Sequence, residues 1–111
     1  MKSCCTLYVK HGDLVLHTNK VITVEVRVCC ANVKKIGAGT VIHYRTTSNN
    51  RECFRRVVAV RRYSSFAQLV EAEEPEHIHP AKTRPEILTS LRTIYPNGQE
   101  KAGVYAIQLE I

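Results

Sequence analysis

The sequence predicts an α+β fold, a small and partly open mixed β-barrel capped by helices. Three observations predict it. Segments with period-two alternation dominate residues 6–63, two segments with helical spacing and caps follow, and one alternating segment closes the chain. With 111 residues, residues 1–111 read as one domain, long enough to build a core without metal or disulfide staples.

Taken in order, TLYVK (6–10) is a short first strand, and HGDLVLHTN (11–19) has room for a helical turn or two. KVITVEVRV (20–28) shows the cleanest alternation. Ile22, Val24, Val26 and Val28 fall on one face of an extended chain, and Thr23, Glu25 and Arg27 fall on the other. CCANVKKIGAG (29–39) lacks a period and holds two glycines, so it is a loop. TVIHYRTT (40–47) and ECFRRVVAVRRY (52–63) form a hairpin around TSNNR, whose Asn pair tolerates positive φ.

SSFAQLVEAEE (64–74) opens on serines suited to an N-cap, with Phe66, Leu69 and Val70 at helical spacing. TRPEILTSLRTIY (83–95) is the clearest helix. Thr83 and Glu86 make a capping box, Pro85 sits in the first turn, and Ile87, Leu88, Leu91, Ile94 and Tyr95 supply the apolar stripe. PNGQEKAG (96–103) is a turn. VYAIQLEI (104–111) is the last strand, with Tyr105, Ile107, Leu109 and Ile111 expected inward.

No apolar run approaches the roughly 20 residues of a membrane span, and MKSCCTLYVK has no long apolar leader core. No membrane partner is expected, and the location expected is cytoplasmic, or nuclear in a eukaryotic or viral setting. Five cysteines, at 4, 5, 29, 30 and 53, are odd in number and include two adjacent pairs without a C-x-x-C. They read as small buried thiols rather than a disulfide framework, and His77 and His79 as surface histidines rather than zinc ligands. No cofactor or metal is expected.

The net charge of +6 is unevenly placed. Lys34, Lys35, Arg45, Arg51, Arg55, Arg56, Arg61 and Arg62 face a single acid, Glu52, between residues 34 and 62. Glu71, Glu73, Glu74 and Glu76 then follow without a base among them. A basic middle beside an acidic patch suggests a polyanionic partner.

ITVEVRV (22–28), IGAGTVIHYR (36–45), VVAVRRYSSFAQLVE (57–71), EHIHP (76–80), IYP (94–96) and GVYAIQLE (103–110) together resemble the ASCH domain family, small PUA-like barrels akin to RNA-binding modules. The resemblance runs in order from about Val15 to Glu110. It implies a PUA-like mixed barrel of five to six strands with two to three flanking helices, and a cleft lined by the polar face of the first long strand. Some similar proteins bind RNA, some are ribonucleases, and one branch removes acetyl from N4-acetylcytidine. Fold membership does not choose among these activities.

Residue by residue, the family's strand motif matches Thr23, Glu25 and Arg27, but its lysine falls on Ile22 and its Gly-Asp turn reads Gly39-Thr40. Lys20 and Thr23 reproduce the lysine-x-x-threonine spacing of the deacetylating branch, and Glu76, with Glu74 beside it, matches that branch's glutamate. The primary expectation is an RNA- or nucleotide-binding domain. In it Arg27 and Lys20 hold a phosphate at the cleft mouth, Glu25 and Thr23 read a base edge or ribose hydroxyl, Tyr63 stacks on a base, and the arginines of the 51–62 strand, Arg55 and Arg61 among them, attract the backbone. The alternatives are an amidohydrolase using Lys20, Thr23 and Glu76, or a metal-independent ribonuclease in which His43, His77 or His79 acts as base. RNA or a nucleoside or nucleotide is the expected partner.

Overall fold

The computed structural model describes residues 4–111. Met1–Ser3, the start of the segment read for a leader, lie outside the described residues. Among the described residues, nine elements run in the order β1 (Cys4–Tyr8), α1 (His11–Thr18), β2 (Val24–Val28), β3 (Val41–Arg45), β4 (Glu52–Tyr63), α2 (Phe66–Ala72), α3 (Pro75–Ile78), α4 (Arg84–Ile94) and β5 (Val104–Leu109). Short 3-10 turns lie at Val33–Lys35 and Gln99–Ala102. This is the α+β half-barrel that the alternation predicts, with four helices rather than two or three.

The five strands form one curled sheet in the order β1-β3-β4-β5-β2. β1 runs parallel to β3, and the other neighbours are antiparallel. β4 is the spine. Its first part pairs with β3 and its second with β5, and the register slips between Val57 and Ala59. Such a bulge bends a strand and increases its twist, which lets a 12-residue strand serve both halves of the curl. The terminal strands β1 and β2 are not paired with each other, so the barrel stays open along the seam between them.

β5 separates two cores. Tyr105, Ile107 and Leu109 join Leu7, Leu14, Ile42, Tyr44 and Val57 inside the curl. Val104 and Ala106 point the other way and pack with Val24, Val26, Phe66, Leu69, Ile87 and Leu91 beneath α2 and α4. Sequence alternation predicted one inward face for this strand. Helices cover the other, so both sides are buried, while Ile111 lies past the strand end and is 85% exposed instead of inward.

The capping predictions locate the helices. Ser65 Oγ accepts the Gln68 amide at the start of α2, and Thr83 and Glu86 form the reciprocal box that starts α4. The segment at 11–19 is a full α-helix that buries Leu14 and His17 one turn apart. At the Gly39-Thr40 departure, the Thr40 hydroxyl accepts the Gly37 amide and closes the turn. Cys5 is buried and Cys29 and Cys53 are half-buried, but Cys30 is exposed, contrary to the expectation for buried thiols.

Candidate functional site: a cleft at the barrel seam

β2 pairs with β5 so that Glu25 lies opposite Ile107 and Arg27 opposite Tyr105. Both partners face the inside of the curl, and paired residues share a face, so Glu25 and Arg27 also project inward, at the unclosed seam. There they line a cleft of about 570 Å³, within the ~300–1,000 Å³ usual for small-ligand sites. Ile22, Val24, Val26, Ile78, Ile87 and Leu91 give it apolar walls, with Tyr8, Ile94 and Tyr95 also in the lining. Lys10, His11, His79 and Lys82 add basic groups, with Asp13 as an acidic one.

The Glu25 carboxylate is held from both ends. Oε1 accepts from His17 Nε2 at 2.8 Å, and Oε2 accepts from Arg27 Nε at 2.8 Å. His17 is fully buried and stacks on Tyr44, with ring centroids 4.0 Å apart. Behind it, Arg55 Nη1 lies 3.3 Å from His17 Nδ1. A guanidinium can only donate, so Nδ1 accepts and Nε2 carries the hydrogen given to Glu25. Arg55 also donates to the carbonyls of His17, Ile22 and Glu110, which ties α1, the entry to β2 and the C-terminal end of β5 together.

Burial pushes the Glu25 carboxyl up, but the Arg27 charge beside it and the hydrogen bonds from His17 and Arg27 outweigh this. The net result lies below the usual carboxylate value. Burial likewise opposes the charge on Arg27, and Glu25 more than restores it. Tyr44 is driven well above its ordinary value, first by burial and then by Glu25, so its phenol stays neutral. A second carboxylate, Glu73, is lowered first by its Arg61 hydrogen bonds and also by Tyr63.

These two lowered carboxyls set an acid limit. A folded value below the unfolded one contributes stability that is complete above the ordinary value and is lost as pH falls through the lowered folded one. Urea midpoints are therefore expected to hold between about pH 7 and about pH 5 and to fall progressively below about pH 4.5. Glu73→Gln should flatten part of that fall. An unchanged acid profile in that variant would show that Glu73 is not linked to folding.

Arg27 also staples the seam. Its Nη2 donates to the Tyr8 carbonyl on β1 at 3.3 Å, and Asn32 Nδ2 reaches the Thr6 carbonyl at 3.4 Å. Side chains thus cross the gap where strand pairing stops, and the gap itself forms the cleft.

The other residues singled out from sequence fall elsewhere. Arg55, expected on the surface, is 4% exposed and serves the interior, because it shares the inward parity of Cys53 and Val57. Arg61 grips Glu73 with Nε at 2.7 Å and Nη2 at 2.9 Å, and the Tyr63 hydroxyl donates to the same carboxylate at 2.6 Å. Both are held in a latch between β4 and the end of α2, away from the cleft lining. Lys20 is exposed, in a left-handed turn with φ 56°, and neither it, Thr23 nor Glu76 lines the cleft. Thr23 shares the parity of Glu25, but its amide donates to the His77 carbonyl beyond the strand start.

Of the histidines, His79 lines the cleft, His77 is exposed, and His43 lies on the outer sheet face, stacked on Phe54 and paired with Glu52. Sequence reasoning passed over His17, Lys10, Lys82 and Tyr95. For His17 the available signal was its spacing of three from Leu14, which places it on the buried side of a short helix. Lys10, Lys82 and Tyr95 reach the cleft from separate elements, and no local pattern joins them.

No protein-family model and no curated protein matches the chain. Among solved structures, it is similar to the crystal structure of the hypothetical protein PH0355, with TM-score 0.84 and 25% identity over 96% of this chain and 97% of that one. It is also similar to the solution structure of protein PF0455 from Pyrococcus furiosus, with TM-score 0.72 and 26% identity over 96% of each chain. The fold is thus shared over nearly the whole chain with solved structures.

Proposed function

We propose that this is an ASCH-type, PUA-like domain whose cleft binds a nucleotide or an unpaired residue of an RNA chain. The observation that carries this reading is the Glu25–Arg27 pair, an acceptor beside a donor on the floor of an apolar cleft. Apolar walls suit a base, a fixed donor–acceptor floor suits its edge, and Lys10 and Lys82 suit its phosphate. The lowered Glu25 carboxyl favours binding over catalysis. A carboxylate that resists protonation is a steady acceptor and a poor proton shuttle near neutral pH. The amidohydrolase alternative has no observation of comparable weight, since its lysine–threonine–glutamate set lies outside the cleft lining, and of the ribonuclease histidines His79 lines it while His43 and His77 do not.

The test is calorimetric titration with nucleoside 5′-monophosphates and a short single-stranded RNA at several salt concentrations. Binding is expected for both. For the RNA, log affinity should fall against log salt with a slope of about −1 to −3, because Arg51, Arg56 and Arg62 stay exposed while Arg55 and Arg61 are engaged internally. No binding by any of these ligands overturns the reading. Binding of RNA without salt dependence removes the phosphate part of it.

A further inference from the structure

We propose that the cleft selects guanine, with N1–H and the N2 amine donating to Glu25 and O6 accepting from Arg27. This rests on the nucleotide-binding reading above and specifies the base. The floor has an ordered pattern along β2: an acceptor-only carboxylate, then a donor-only guanidinium. Neither group can reverse its role. The Glu25 carboxyl is held ionised, and an arginine cannot give up its proton in a protein.

Capacity remains on both groups. An ionised carboxylate offers about four lone-pair sites, and the protein fills one on each oxygen, from His17 and from Arg27. Arg27 commits Nε to Glu25 and one Nη2 hydrogen to Tyr8, leaving further N–H groups for a ligand and for the neighbouring Tyr95 hydroxyl. The site also cannot swing away to suit another edge. His17, behind the carboxylate, is fully buried and anchored by Arg55, and the Glu25 side chain is itself only 13% exposed.

The base edges differ in what they offer to such a floor. Guanine presents two adjacent N–H donors with a carbonyl next to them, so one carboxylate and one guanidinium are both satisfied. Hypoxanthine keeps N1–H and O6 but lacks the amine. Cytosine and adenine present an amine next to a ring-nitrogen acceptor, which turns a lone pair toward the second carboxylate oxygen. Uracil has a single N–H between two carbonyls. In a desolvated site, a polar group left unpaired costs more than a made bond returns, so these mismatches separate the bases. A guanine in a free nucleotide and one in an unpaired RNA residue present the same edge.

The experiment titrates the wild-type protein with guanosine, inosine, adenosine, cytidine and uridine 5′-monophosphates at one salt concentration, so that only the base varies. The guanine nucleotide is expected to bind tightest, with the hypoxanthine nucleotide weaker by about tenfold or more. Glu25→Gln, close in shape, places a donor where an acceptor stood and is expected to erase the guanine–hypoxanthine gap. A guanine-containing oligonucleotide binding more tightly than the mononucleotide would identify RNA as the source of the base. Equal affinity of the guanine and hypoxanthine nucleotides, or tighter binding of any of the other three, overturns guanine selection while the nucleotide reading stands. Failure of all five and of the oligonucleotide to bind overturns both. The wild-type comparison does not depend on the variant's folding.

Discussion

Arg55→Ala is expected to destabilise the fold by about 3–5 kcal/mol, the cost of removing one partner from a buried charged network. Total stabilities of domains this size are on the order of 5–15 kcal/mol, so the variant should sit close to unfolding. The magnitude follows from what the guanidinium satisfies. The two Nη1 hydrogens are shared among the carbonyls of His17 and Ile22 and His17 Nδ1, and Nη2 donates to the Glu110 carbonyl. Truncation leaves the buried acceptors on His17 and Ile22 without their donor, and each unpaired buried acceptor costs about 1–3 kcal/mol. Burial opposes the Arg55 charge and lowers its pKa, so part of the desolvation cost is recovered when the side chain is removed. That recovery keeps the expected loss below the sum over these acceptors.

The comparison variant is Arg55→Met, which fills the volume but donates nothing. If hydrogen bonding is the cause, methionine recovers only the packing share, and its urea midpoint stays well below wild type. A methionine variant as stable as wild type would make the network energetically idle, as some buried ionic groups are. The network has a further consequence. Without Arg55, His17 can take either tautomer, and the carboxylate at the cleft floor loses the fixed donor that orients it.

The strands were legible because half-covered β structure writes its period into the sequence. TVEVRV alternates since one side packs on Phe66 and Leu69 while the other faces the open seam. β5 was only half legible. Its alternating large residues marked the inner core, but small Val104 and Ala106 on the other side gave no sign that helices would cover them. Arg55 was misread because residue type outweighed parity. It lies two positions from both Cys53 and Val57, on the inward face, yet a run of arginines suggests solvent. The cleft itself was legible at Glu25 and Arg27 and, of the candidate bases, at His79. It exists because β1 and β2 fail to meet, and a gap between sheet ends is a property of the closed path of the chain rather than of any segment.

The staple across that gap gives the last expected result. Arg27→Ala should weaken nucleotide binding by about 30-fold or more, as truncating one member of a buried, hydrogen-bonded charge pair costs roughly 2–5 kcal/mol. Two effects combine. The ligand loses its donor, and Glu25 loses the opposite charge that holds its carboxyl down, leaving burial to push it upward. The same substitution should therefore lower the urea midpoint near neutral pH and flatten the Glu25 share of the acid fall, since a carboxyl no longer held below its unfolded value has less stability to lose as pH drops. Arg27→Lys separates the roles. An ammonium restores the charge and so most of the Glu25 contribution near neutral pH, but it cannot span Glu25 and the Tyr8 carbonyl with a fixed fork. Nucleotide affinity should stay low in the lysine variant while the urea midpoint near neutral pH returns toward wild type. Recovery of both together would mean that Arg27 acts as a point charge alone, and that the seam does not need its two-sided grip.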